Sequence, residues 1–308
     1  MTEGNLIGVV TVTYNSGAVL RDFLRCMAVQ THSEFLLFAV DNASKDDTVR
    51  ILSECSDVRL RIIANGDNRG FAEGSNQGIR AALDAGCASV LLLNNDTEFD
   101  APLIAQLDEG LRVHRVDMTC PKMMYYDEPK RIWAAGGAFQ PWLGYRSIHF
   151  GEREMDRGQY DRARLITFVP ACCVLIRKEV FEKVGLLDAR YFVYVEDVDF
   201  MYRAMKAGVT LMYLPEAKLL HKVGRLSGGE DSPFNIRYCT RNRAFFMLRH
   251  FGLTRALVML VIYQVYFAAG LLCGRFSLKA YGIKERATGE GIRMWCACRA
   301  VREDLCQQ

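Results

Sequence analysis

Three short stretches of this chain carry side chains able to do chemistry on phosphate and hydroxyl groups. The first, "VLLLNNDTEFD" at residues 90–100, passes from an unbroken apolar segment into Asn94, Asn95 and Asp96. A hard divalent cation such as Mg²⁺ takes oxygen ligands, and one or two carboxylates suffice when phosphate oxygens and waters complete its shell. Asp96 supplies one carboxylate, and the amide oxygen of Asn94 lies on the same side of an extended strand. The same residues also suit a plain Asx turn, so the stretch alone leaves both readings open. The second, "NGDNRGFAEGSNQG" at residues 65–78, is a glycine- and amide-rich segment leading into a helix, where backbone N–H groups could face an anion with Arg69 as a nearby cation. The third, "YVEDVDF" at residues 194–200, sets Glu196, Asp197 and Asp199 at the start of a helix. Acids there are stabilised by the helix dipole, and Asp199 can pair with Arg203 four residues on. They also sit in an aromatic and apolar neighbourhood, "ARYFVYV". Burial there would raise a carboxyl group from about 4 towards neutrality, as a general base requires.

The elements that must hold these groups follow from hydrophobic patterning. Residues 1–115 alternate short apolar runs ("LIGVVTVTYN", "FLLFAVDNAS", "VRLRIIAN", "SVLLLNND") with helical segments around Val19–Val29, Thr48–Glu54 and Ala72–Ala85. That order predicts an α/β fold with a mostly parallel sheet between helices, its strands apolar throughout because neither face meets water. Ligands of such sheets sit outside the carboxyl ends of the strands. The strand ends here are Thr13, Tyr14 and Asn15, then Asp41 and Asn42, then Asn65, then Asn94, Asn95 and Asp96. Residues 116–165 read as loops and short strands. "LITFVPACCVLI" reads as one strand, followed by helices over Lys178–Val184 and Glu196–Lys206 and the apolar run "VTLMYLP".

A chain of 308 residues that is 50% hydrophobic buries a substantial core. The expected organisation is a catalytic domain over 1–230, with a donor half to about 115 and an acceptor half over 116–230, followed by a helical tail over 231–308. The eleven cysteines are scattered without paired metal-ligand spacing and read as buried thiols. No secretory signal pattern opens the chain, so a cytoplasmic location is expected. From Arg241 onward there are eleven Lys and Arg against four Asp and Glu, a net +7, whereas residues 1–240 carry −4. The tail also holds "ALVMLVIYQVYFAAGLLCG" at 256–274, flanked by Arg255 and Arg275. Three readings stay open for it: a helix in or on a membrane, a helix packed on the domain or on a partner subunit, and a core helix. The basic flanks favour the surface of an anionic membrane. No nucleic-acid partner is expected.

Taken in order and spacing, "VVTVTYNSG", "VDNASKDDT", "NRGFAEGSNQGI", "LLLNNDTEFD" and "YVEDVDFMYRAMKAG" resemble the family 2 glycosyltransferases of GT-A fold, most of all their bacterial rhamnosyltransferase-type members, over about residues 5–250. Tyr238, Arg241 and Asn242 echo a family ending of the type YYxxRN. The resemblance implies an inverting, metal-dependent transferase that moves a sugar from a dTDP- or UDP-sugar to a lipid-linked or polysaccharide acceptor at the inner face of the cell membrane. A homo-oligomer is compatible with it. Thr13, Tyr14, Asn15, Asp41 and Asn42 would hold base and ribose, and Asn68, Arg69, Gly70 and Asn76 would lie along the donor. Asn94, Asn95 and Asp96 take the place of the family's Asp-x-Asp. Asn94 replaces the first acid, so Asp96 is left as the carboxylate for Mg²⁺ or Mn²⁺, with His221 as a further metal or diphosphate contact. Asp197 matches the catalytic base, with Glu196 beside it, and "WAAGG" at Trp133–Gly137 would shape the sugar pocket. Pro170 in "VPACC" departs from the small Ser or Gly usual there. Two rivals stand beside this reading. A sugar nucleotidyltransferase would need a Gly-rich basic loop after the first strand, where "TVTYNSGAVL" has no Lys or Arg. An inactive nucleotide- or glycan-binding module is suggested by the missing first acid.

Overall fold

The computed structural model describes residues 6–224, 229 and 231–306. They fall into two compact units, one formed by Met1–Gln140, Arg146–Phe192 and Glu196–Leu226, the other by Pro141–Tyr145, Val193–Val195 and Ser227–Gln308. The first unit opens with the expected alternation: β1 (Ile7–Thr13), α1 (Gly17–Ala28), β2 (Phe35–Asp41), α2 (Thr48–Glu54), β3 (Leu60–Ala64), α3 (Gly70–Asp84) and β4 (Ser89–Leu93). It continues through β5 (Thr97–Phe99), α4 (Leu103–Val113), β6 (Met118–Tyr125), β7 (Ile132–Ala134), β8 (Gly137–Gln140), β9 (Arg146–His149), β10 (Arg164–Ile166), β11 (Cys173–Arg177), α5 (Lys178–Val184), α6 (Glu196–Lys206) and β12 (Leu211–His221).

A ten-stranded sheet runs in the order β10-β12-β6-β11-β4-β1-β2-β3, with β5 added to β12 and β7 to β6. The strands β3, β2, β1 and β4 are parallel neighbours, β11 lies antiparallel between β4 and β6, and β6 pairs parallel with β12. β8 and β9 form a separate two-stranded ribbon. The central strands are buried throughout: every residue of β4 is buried, and in β1 only Val12 is partly exposed. Alternating polar residues would leave backbone and side-chain dipoles facing the helices. Two expectations fail here. Residues 116–165 contain β6, a long and almost wholly buried strand, and "LITFVPACCVLI" breaks into β10 and β11. Pro170 sits in that break, where its missing N–H cannot serve a ladder. Buried thiols are found at Cys87, Cys120, Cys172 and Cys173, while Cys273 and Cys296 are exposed.

The second unit is helical: α7 (Pro233–His250), α8 (Leu253–Leu272) and α9 (Leu278–Cys306), with α7 and α9 packed along each other. Ser232 caps α7 by accepting the Asn235 N–H at 3.2 Å, and Ser277 accepts the Ala280 N–H at 3.1 Å at the start of α9.

Helix α3 approaches β1 closely because Gly78 has no side chain; a Cβ there would collide with Val10 Cγ1. Gly78→Ala therefore lowers stability by about 1–3 kcal/mol through overpacking, although Ala is the better helix former by about 1 kcal/mol. Denaturant titration measures this, and a neutral or stabilising result contradicts the tight α3–β1 contact.

Candidate active site

The polar groups of the first unit collect at the carboxyl ends of its parallel strands. β4 ends at Leu93, and the chain turns through Asn94–Asp96 into β5. β5 pairs antiparallel with the end of β12, setting His221 opposite Thr97. That pairing brings His221 Nε2 to 3.3 Å from Asp96 Oδ1. The backbone N–H of Lys222 donates to Asp96 O at 2.8 Å. The Lys222 ammonium, itself buried, lies 2.7 Å from Asp22 and 2.6 Å from Glu98, which fixes the end of β12 from both sides. Asp96 Oδ1 is buried, with the His221 ring as its partner. Burial alone would depress the His221 imidazole, but the Cys172 sulfur and the Asp96 carboxylate outweigh it and push the ring up to about 10. The ring is walled by Trp133, 4.3 Å away edge-on, and Trp133 in turn meets His149 at 5.1 Å.

The acids of α6 divide into two roles. Asp199 is fully buried and neutralised: its Oδ1 accepts from Tyr191 Oη at 3.1 Å and its Oδ2 from Arg203 Nε at 2.7 Å. The same guanidinium donates to the carbonyls of Val184 and Leu186, so Asp199 is structural, as its i,i+4 spacing to Arg203 suggests. Glu196 is buried with Oε2 unpartnered. Burial, then the neighbouring Asp197 charge, pushes its carboxyl well up. Asp197 is raised too, by burial, against backbone N–H groups from Val198, at 2.7 Å, and from Ala171. It remains only half-buried. Ala171 adjoins Cys172, whose sulfur bonds His221 and whose carbonyl accepts the Asn94 N–H at 2.9 Å. The chain segment 171–172 thus links the base candidate to the Asp96 corner.

Comparison with known proteins gives the chain a family. A profile described as "Glycosyl transferase family 2" matches residues 8–185. The chain belongs to glycosyl transferase family 2. The N-acetylglucosaminyl-diphospho-decaprenol L-rhamnosyltransferase of Mycobacterium tuberculosis is 28% identical over 82% of this chain and 87% of that protein. The dTDP-rhamnosyl transferase RfbF of Shigella flexneri is 24% identical over 78% of this chain and 79% of its own length. Among solved structures, GalNAc-T7 with UDP, GalNAc and Mn²⁺ superposes with a TM-score of 0.61 at 16% identity; it covers 79% of this chain, which spans 50% of that one. The fold of the first unit is accordingly the GT-A fold of these transferases.

The remaining residues expected along the donor lie on the rim of this transferase, several already bonded to the protein. Thr13 Oγ1 donates to Asp41 Oδ1 at 2.9 Å, and the Asp41 carboxylate also accepts the Ser44 N–H and hydroxyl. Tyr14 is 47% exposed with its ring open to solvent. Asn15, at φ 51°, accepts the Lys45 N–H through Oδ1 at 2.8 Å. Asn42 is buried, donates to Gly70 O at 3.0 Å and accepts from Asn65 at 2.9 Å. Asn95 donates to Val12 O at 2.6 Å and pins the corner to β1. Asn76 clasps Leu187 through both ends of its amide, at 2.8 and 3.0 Å, which ties α3 to the loop before α6.

The start of α3 is not the open anion site that its glycines suggest. Asn68 Oδ1 accepts the Gly70 N–H at 2.9 Å and Phe192 O accepts the Ala72 N–H at 3.2 Å, so protein oxygens take two of the free donors. Gly70, at φ +80°, has Phe192 where a Cβ would lie. Arg69 is half-exposed, 3.2 Å from Asp67. Asn94, by contrast, keeps a partly exposed side chain at the corner.

Sequence reasoning did not find Lys222, His149 or Cys172. The first looks like a surface lysine, the second like any lone histidine, the third like a core thiol. In the second unit, the echo at Tyr238, Arg241 and Asn242 acquires a role. Buried Asn242 donates to the carbonyls of Val193 and Tyr194 at 2.8 and 2.7 Å and accepts from Arg241 Nε at 2.8 Å. Tyr194 and Val195 are at φ 64° and 71°, a backbone that side-chain-bearing residues adopt only when held. They immediately precede Glu196 in the chain.

A Glu196 carboxyl held above its unfolded value favours the protonated native state. Its contribution to stability is fully present below the unfolded pKa of about 4.3 and is lost as pH rises towards the folded value. Glu196→Gln removes that titration, so the stability of this variant relative to wild type should climb between pH 5 and pH 8 in thermal melts. A pH-independent difference contradicts a raised, buried Glu196.

Proposed function

We propose that this transferase moves a sugar, L-rhamnose by analogy with the named relatives, from a dTDP- or UDP-sugar to a lipid-linked or cell-surface polysaccharide acceptor, inverting the anomeric centre. The observation that carries the reading is the buried Asp96–His221 pair on the strand-end corner, linked through Ala171 and Cys172 to Asp197. Departure of a nucleoside diphosphate leaves an oxocarbenium-like sugar and a growing charge on the leaving phosphate. Asp197, raised by burial yet half-open, takes the proton of the acceptor hydroxyl on the face opposite the leaving group, with Glu196 beside it. Thr13, Tyr14, Asn15, Asp41 and Asn42 form the rim for base and ribose. Asn68, Arg69, Gly70 and Asn76 border the donor, with Asn76 acting through the loop it clasps. The donor half is residues 1–115 and the acceptor half residues 116–230, with Trp133 shaping the sugar pocket.

Among the described residues no three His, Cys, Asp or Glu side chains converge as a metal cage. The Asp96 carboxylate nonetheless fits one divalent cation, Mg²⁺ or Mn²⁺, which would take the place of the His221 proton at Oδ1, its other ligands coming from the diphosphate and water. When bound, that cation neutralises charge on the departing diphosphate. Asn94 and Asn95 flank it without adding charge.

The second unit supports a site of action at a membrane. Helix α8 buries Ala256, Met259, Leu260, Phe267 and Gly270 on one side, while Leu257, Val258, Val261, Ile262, Val265 and Tyr266 are 45–64% exposed on the other. Trp142, in the turn whose Pro141 carbonyl accepts from Arg255 at 2.9 Å, is 75% exposed. A 20-residue helix with one apolar stripe and flanking cations fits an in-plane position at the inner face of the membrane, where a lipid-linked acceptor is presented.

Nucleotide release from a panel of nucleotide sugars, with Mg²⁺ or Mn²⁺, tests the assignment. Asp197→Asn should lower kcat by about 10²–10⁴ with donor KM nearly unchanged. Asp96→Ala should cost far more than Asn94→Ala, because Asp96 is the one carboxylate of the Asn94–Asp96 turn. Turnover that survives Asp197→Asn sinks the mechanism, and equal losses at positions 94 and 96 sink the cation assignment.

A further inference from the structure

Beside the C-terminal end of the α8 stripe lies a cavity of about 330 Å³ that the catalytic groups do not use; Asn235, Arg275, Phe276, Ser277 and Lys284 are among the residues lining it. Among the described residues Asp231 is the single carboxylate in that lining, against the two cations Arg275 and Lys284. The Lys284 ammonium lies 4.8 Å from the Phe267 ring centroid and 4.7 Å from that of Phe276, and the Arg275 guanidinium lies 5.6 Å from that of Tyr266. Neither cation makes a hydrogen bond or ion pair with another side chain among the described residues. Burial holds Lys284 below the usual lysine range, outweighing the opposing pull of Cys239 and Asp231. Aromatic faces satisfy a cation only in part, and a cavity with a net positive lining, polar groups at Asn235 and Ser277, and the start of α9 at its edge suits a compact anion. Tyr266 joins the two features, since it belongs to the exposed stripe and carries Arg275 over its ring.

We propose that this cavity takes the phosphate headgroup of an anionic membrane lipid, with Arg275 and Lys284 closing on the phosphate while the adjoining stripe of α8 enters the acyl layer. The inference rests on the membrane-docked reading of the second unit. A diffuse basic surface would respond to net charge alone, whereas a built pocket distinguishes headgroups of equal charge.

The full-length protein is sedimented with phosphatidylcholine vesicles containing phosphatidic acid or, at matched surface charge, phosphatidylserine. The wild type should bind the phosphatidic acid vesicles about tenfold more tightly. Arg275→Gln with Lys284→Gln should abolish that preference. Lys279→Gln with Arg286→Gln, which removes two exposed cations of α9 outside the lining, should weaken binding to both vesicles about fivefold per charge and leave the preference intact. Equal losses from the two pairs, or no preference in the wild type, overturn the pocket. Stabilisation by millimolar inorganic phosphate alone, without vesicle binding, overturns the lipid source, and a stable dimer that excludes vesicles makes a second copy the occupant of the stripe. Donor hydrolysis in vesicle-free buffer, unchanged in both double variants, separates the outcomes: its absence in the wild type defeats the transferase reading and leaves the lipid site standing.

Discussion

A sheet covered by helices on both faces leaves polar groups only its ends. The apolar strands β1, β2 and β4 exclude charge from the interior, so Asp41, Asn42, Asn94, Asn95 and Asp96 gather where the strands stop. There the exposed strand termini and the turns after them can accept water or ligand oxygens. The short antiparallel pairing of β5 with the end of β12 then delivers His221 and Lys222 to the same corner. Without it Asp96 would be a solvated turn residue. With it, an acid lies next to an imidazole in a site walled by Trp133 and Cys172, where electrostatic interactions are stronger than in water.

The three acids of one helical turn show how environment, not residue type, assigns a role. Asp199 faces inward onto Arg203 and Tyr191 and is neutralised there. Glu196 is buried without a partner, which lifts its pKa. Asp197 sits between these extremes, held by two backbone N–H groups yet partly open. A general base needs that intermediate state, because a fully paired carboxylate is too weak a base and a fully buried one cannot reach a substrate.

The second unit follows a different logic. Its helices α7 and α9 pack on each other, but α8 offers more apolar surface than its neighbours cover. An exposed stripe of that size is costly in water and marks a surface that meets something apolar. Cations stand over the aromatic rings Tyr266, Phe267 and Phe276 at its border.

The sequence by itself determined the alternation of strands and helices to residue 93, the helix boundaries at Thr48–Glu54, Lys178–Val184 and Glu196–Lys206, and the set of strand-end polar residues, because hydrophobic period and strand-end chemistry are local properties. The five motifs in register also made the family legible. Local pattern could not reveal that β6, with its buried Lys122 held by Asp156 and Asp161, runs through the middle of the sheet; its polar residues look like loop until their partners, far along the chain, are known. Nor could it reveal that Asn76 and Asn95 serve the scaffold, that protein oxygens occupy the start of α3, or that Lys222 anchors the Asp96 corner. Those are contacts between residues distant in sequence, and only the tertiary structure decides which donor meets which acceptor once water has been excluded.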